Sequence, residues 1–171
     1  MELQEELKQR AIECGLCKQW QEDWGTPDKR RLMEMFAKGV NFCLRHNFPG
    51  ADYIREHFDR AELTDNGILL DRTFSLQNPK NMIILGESRG NVDLSGFAFC
   101  DLHISDTACL ELTAKDFARC SVSVYGKARL TVTNDGNNPV YVYMHGGDVT
   151  TAGNVVVRDK RCQLFVRDSS I

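Results

Sequence analysis

The sequence predicts an α+β chain: a small helical domain of three helices over residues 1–64, then a β-solenoid of ten-residue strand–turn units, two per coil, over residues 65–171. Three observations lead there. Apolar residues near the amino terminus recur at steps of three and four; from Asn81 the chain repeats every ten residues without a gap; and residues twenty apart resemble each other more than residues ten apart.

The first helix rests on Leu3, Leu7, Ala11, Cys14, Cys17, Trp20 and Trp24, which share one face at 3.6 residues per turn. Gly25 ends it. Thr26-Pro27-Asp28 then offers a capping hydroxyl, a proline suited to the first helical position and an acid near the positive end of the helix dipole. The second helix runs to about His46 and buries Leu32, Met35, Phe36, Val40, Cys43 and Leu44. Asn47-Phe48-Pro49-Gly50 breaks it before a short third helix holding Tyr53, Ile54 and Phe58.

Asp65-Asn66-Gly67 is a turn signal, and the composition then shifts to β-branched residues, Gly and Asp. Written in tens from Asn81, the second position is Met82, Val92, Leu102, Leu112, Val122, Val132 and Val142. The sixth is always Gly or Asp, and the eighth is Ala in four successive units, Ala98 to Ala128. Alternation explains the columns: positions eight, ten, two and four face inward along a strand, while Gly or Asp at six supplies the positive φ that turns the chain. Alanine at eight fits the crowded inside of that corner.

Position ten alternates Cys100, Leu110, Cys120, Leu130, and position seven alternates Phe97, Thr107, Phe117, Lys127. Coils of twenty residues in a parallel solenoid therefore stack Cys100 over Cys120 and Phe97 over Phe117, one strand spacing of about 4.8 Å apart. An antiparallel β-meander of ten-residue hairpins also keeps one face apolar, but gives this alternation no role. After Thr150 the register loosens; Asn154–Asp159 resumes a strand, and the tail through Phe165 and Val166 is expected to form an irregular cap over the open end.

The unit Ser121-Val-Ser-Val-Tyr-Gly-Lys-Ala128 resembles the V-x-V-x-G-x-A repeats of bacterial solenoids. Gly15-Leu-Cys-Lys-Gln-Trp20, Asn41-Phe-Cys-Leu-Arg-His46, Tyr141-Val-Tyr-Met-His145 and Asn154-Val-Val-Val-Arg-Asp159 resemble a narrower group, uncharacterised proteins of gut Bacteroidetes and their phages or mobile elements. The resemblance spans nearly the whole chain and implies the fold. It carries no catalytic motif.

Composition narrows function by exclusion. With 171 residues, 42% of them hydrophobic, the chain has enough apolar surface for a true core. A net charge of -3 with mixed signs offers no basic stripe for nucleic acid and no charged run for a membrane surface. The acidic start MELQEELKQR is unlike a signal peptide, so a cytoplasmic protein is expected, or a virion-associated one if phage-encoded. The seven cysteines, an odd number, lack a secreted disulfide framework and are expected to be reduced. Cys14-x-x-Cys17 with Cys43-x-x-His46 has the ligand types of a zinc site, but the same cysteines are required by the apolar stripes, and core packing is the expected role. No cofactor is expected.

Splitting the units by twenties separates two outward faces. One carries Glu111, Thr113, Lys115, Thr133 and Asp135, an ordinary solvated surface. The other carries Asp101, His103, Ser121, Ser123, Tyr125, Tyr141, Tyr143 and His145. Tyr125, Tyr141, Tyr143, His103 and His145 are the candidate binding residues, because aromatic rings bury much area at small entropy cost. Asp101 and His103 are placed to meet Tyr125 or Ser121 across strands, yet no Walker loop, dinucleotide fingerprint, nucleophile elbow or metalloprotease helix occurs. A non-enzymatic module that binds a protein partner or itself is the expected function, with a glycan-binding or glycan-cleaving solenoid as the alternative.

Overall fold

The structure is a computed structural model that describes residues 1–161; the expected cap residues Phe165 and Val166, and Cys162, lie outside the described residues. The chain forms two compact units, Met1–Asn66 and a second beginning at Gly67.

The first unit has six short helices rather than three: α1 Leu3–Glu13, α2 Lys18–Asp23, α3 Lys29–Lys38, α4 Val40–Arg45, α5 Ala51–His57 and α6 Arg60–Asp65. Each extra break has a local cause. Gly15 has φ +96°, and the Gly15 and Leu16 amides bond back to the Ile12 and Ala11 carbonyls at 2.9 and 3.0 Å. This pair of bonds closes α1 in a Schellman turn, so the apolar stripe continues across a corner instead of along one helix. Gly39 divides α3 from α4. Asp28, not Thr26, caps α3, accepting from the Arg31 amide at 2.8 Å. Asp59 caps α6 by accepting from the Ala61 and Glu62 amides. The core of this unit gathers Leu7, Ala11, Trp24, Leu32 and Met35.

The second unit is a parallel β-solenoid. Its strands are β1 Ile68–Leu70, β2 Thr73–Gln77, β3 Asn81–Leu85, β4 Arg89–Leu94, β5 Phe99–Ile104, β6 Cys109–Ala114, β7 Arg119–Val124, β8 Arg129–Asn134, β9 Val140–Met144, β10 Asp148–Gly153 and β11 Val155–Asp159. Odd strands form one sheet in the order β1-β3-β5-β7-β9-β11, and even strands the other, β10-β8-β6-β4-β2. Every pairing is parallel, which excludes the meander. Cys100 pairs with Cys120, and Leu110 with Leu130, as the twenty-residue alternation requires. Between the sheets lies an apolar core of columns such as Leu102 over Val122 over Val142, each fully buried.

The corners explain the sixth column. Gly86, Gly96, Asp106, Asp116 and Gly126 have φ between +59° and +67°. Each precedes an inward alanine or serine whose amide, in Ala98, Ala108, Ala118 and Ala128, bonds to the carbonyl three residues back at 3.2–3.3 Å. Aspartate does more than tolerate this geometry. Asp106 Oδ2 accepts from the Gly86 amide at 2.8 Å, and Asp116 Oδ2 from the Gly96 amide at 2.9 Å, each tying its corner to the coil before. Asp106→Ala is therefore expected to lose about 1.5–3 kcal/mol in urea unfolding, from left-handed strain plus the lost bond. Asp106→Gly, which keeps the backbone geometry, should lose only about 1 kcal/mol.

The period is not kept to the ends. β10 pairs Val149 with Leu130, nineteen residues apart, and the positive φ falls on Gly147 (+74°) rather than in the sixth column at Gly146. The register thus slips before Thr150, inside the seventh unit. The first and last coils are shorter still, pairing Ile68 with Ile83 and Val155 with Val140.

Candidate functional site

Tyr141, Tyr143 and His103 share one face of the odd-strand sheet, while Tyr125 and His145 lie just past the ends of β7 and β9. Tyr141 stands over Ser121 over Asp101, and Tyr143 over Ser123 over His103. Asp101 is the hub of the lower part: Ser121 Oγ donates to its Oδ1 at 2.8 Å, and His103 Nε2 lies 3.3 Å from Oδ2. The hydrogen bond from His103, and secondarily that from Ser121, holds the Asp101 carboxyl below the usual carboxylate range against the opposing effect of burial. Of the two partners foreseen for Asp101 and His103, Ser121 is the one that this hydrogen bonding joins to Asp101.

This arrangement does not build a nucleophile. Activation of serine needs a base at its hydroxyl, with histidine between serine and acid. Here the acid stands in the middle and receives the serine proton donor itself. The cluster is a cross-strand clasp, with a pH signature of known sign. A carboxyl whose folded pKa is depressed adds stability above its unfolded value, about 3.9, and that stability is lost as pH falls through the folded value. The melting-temperature gap between wild type and Asp101→Asn should accordingly be wide at pH 7 and close in stronger acid.

Nor is the tyrosine face an open contact surface. Tyr125 is 2% and His103 8% exposed, Tyr143 and His145 are half-buried, and only Tyr141 passes into the exposed class. Register is one physical reason: residues twenty apart stack, so the Tyr125 and His145 rings lie parallel with centroids 4.5 Å apart and cover each other. The Arg158 guanidinium, one strand further, lies 5.8 Å from the Tyr141 ring.

Of the four candidate zinc ligands, Cys14 lies near enough to Cys43 to help raise its thiol, but the other two do not complete a set. Cys14 ends α1, Cys17 precedes α2, His46 packs its ring on Phe42, and Cys43 is buried in α4 with its thiol pushed up to about 12, chiefly by burial. Among the described residues no group of three Cys, His, Asp or Glu side chains is arranged to hold a metal ion. The six described cysteines are free thiols, and no described helix is long and apolar enough to cross a membrane.

The exposed aromatic surface lies elsewhere, along the corner that leads from even strands to odd ones. Phe97 is 86% exposed, Phe99 69% and Phe117 50%. The Phe97 and Phe117 rings stack at 5.2 Å with planes 8° apart, following the twenty-residue register. Beside Phe97 opens a groove of about 630 Å³, lined among others by Asn78, Lys80, Asn81, Ser95 and Phe99. Protein-family models, curated proteins and solved structures yield no match to the chain.

The phenylalanine corner is thus the candidate site on its own geometry. Large apolar side chains left in water as a contiguous group are the informative exception on a protein surface. The seventh column had already singled out Phe97 and Phe117 as a stack. What it lacked was the recognition that the residue after a left-handed corner projects from the coil, where no neighbouring strand can bury it.

Proposed function

We propose that this protein is a non-enzymatic interaction module, binding a partner protein or a second copy of itself through the solenoid. The exposed phenylalanine stack carries this reading. Burying a phenylalanine side chain is worth about 1.5–3 kcal/mol, so three adjacent ones supply the kind of apolar centre on which protein interfaces depend. The Asp101–His103–Ser121 clasp speaks against chemistry as the main role, because the serine hydroxyl donates to the acid and has no base to activate it.

The test is a comparison of the full chain with a Phe97→Ser/Phe117→Ser double variant, by absolute mass from light scattering and by capture of partners. The reading expects either an oligomer that the double variant dissolves or a defined partner that it fails to hold. A monomer whose wild type and double variant retain the same proteins would sink it.

A further inference from the structure

Resting on that reading, we propose that the groove beside Phe97 receives the aromatic side chain of an acidic peptide segment, which extends the Phe97–Phe117 stack by one ring. Phe117 covers one side of Phe97 and does not line the groove, so the groove adjoins the side that remains free. The fold leaves that place vacant for a definite reason. Above it successive coils are twenty residues long, but β2 pairs Phe74 with Gly90, sixteen residues apart, and the shortened corner at Asn78-Pro79-Lys80 supplies no ring to continue the column.

Charge sets the sign of the occupant. Lys80 lines the groove, and Lys115 and Arg119 follow one coil on, Arg119 in register with Phe99. The Asp116 carboxylate keeps its charge while it accepts from the Gly96 amide, but it does not line the groove; Lys80 is the charged residue that does, so the groove itself is cationic although the chain as a whole carries -3. A second copy docking this corner against itself would oppose cation to cation, so a distinct acidic partner fits better. Phenylalanine also has no polar tip. A flat apolar ring continues the offset stack, whereas a sugar would leave its hydroxyls facing rings that neither donate nor accept a hydrogen bond. Asn81 and Ser95 stand at the groove to meet the peptide backbone.

The probe is the peptide acetyl-Asp-Glu-Phe-Glu-Asp-amide, titrated by calorimetry against the full chain at low and at physiological salt. Saturable binding is expected that weakens at higher salt, falls at least tenfold in Phe97→Ala and in Lys80→Glu, and survives in Phe97→Tyr, which keeps the ring. Replacing the peptide's phenylalanine by leucine, or its acids by lysine, should weaken it comparably. Absence of saturation, indifference to Phe97→Ala, equal binding of the lysine peptide, or binding of a uronic-acid hexasaccharide in place of the peptide would each overturn the proposal. If the peptide fails while Phe97→Ser/Phe117→Ser still abolishes an oligomer or a partner, only this proposal falls. If that double variant is also without effect, the interaction reading falls with it.

Discussion

Leu102→Ala is expected to lower the unfolding free energy by about 2–5 kcal/mol, the range for removing a buried leucine side chain. The upper half of that range is the more reasonable here. Leu102 is fully buried in a column between Met82 and Val122, and its strand is hydrogen-bonded on both sides. Strand spacing is fixed by those ladders at about 4.8 Å, so neighbouring coils cannot close in on the space left behind. Urea unfolding followed by far-ultraviolet circular dichroism measures the loss. Phe97→Ala makes the control, since a ring 86% exposed should cost under about 0.5 kcal/mol. A small loss at Leu102 would mean that the coils are not held at their register.

Asn134→Leu should be as damaging, about 2–4 kcal/mol by the same urea measurement, although the repeat pattern makes it look harmless. The column reads Leu94, Ala114, Asn134, so leucine restores the apolar identity that Leu94 has. Asn134 is 2% exposed, however, and all its polar atoms are used. Its Nδ2 donates to the Asn138 and Asn154 carbonyls, both at 2.8 Å, and its Oδ1 accepts from the Gly136 amide at 2.8 Å. The side chain therefore holds the irregular Asp135–Pro139 corner to the coil that follows. Leucine would take their partner from the Gly136 amide and the Asn138 carbonyl, and would leave the Asn154 carbonyl with the Val140 amide alone, at 3.1 Å. Wild-type stability in Asn134→Leu would show that water reaches those groups.

Asn134 also marks where the sequence stops being a guide. Columns are legible when one physical requirement acts alone: a positive φ at Asp106 and Gly126, burial at Leu102 and Val122, stacking at Phe97 and Phe117. Where two requirements meet in one residue, the pattern hides the second. Asp106 satisfied the turn geometry, so its bond to the coil before it was invisible in the repeat. The apolar stripe from Leu3 to Trp24 crosses the Gly15 corner at constant spacing, and periodicity cannot distinguish a stripe on one helix from a stripe on two. The Asp59 cap was readable, since an N-capping acid followed three residues later by Glu62 is a helix-start signature. The tyrosine face is a different case. Alternation gives the side of the sheet to which a residue points, and it did so correctly for Tyr141 and Tyr143; it says nothing of how much that side is covered.

The two-sheet pairing has a consequence for how the chain finds its structure. Parallel sheets ordinarily join strands that are far apart in sequence, which makes them slow to assemble. In this unit each strand meets the strand two places later, from fifteen residues away at Ile68 and Ile83 to twenty at Cys100 and Cys120. Loop closure then costs nearly the same at every step, since that cost grows only with the logarithm of the separation. Spatial order equals chain order throughout, and a chain emerging from the ribosome can lay each coil on a finished one without waiting for anything downstream.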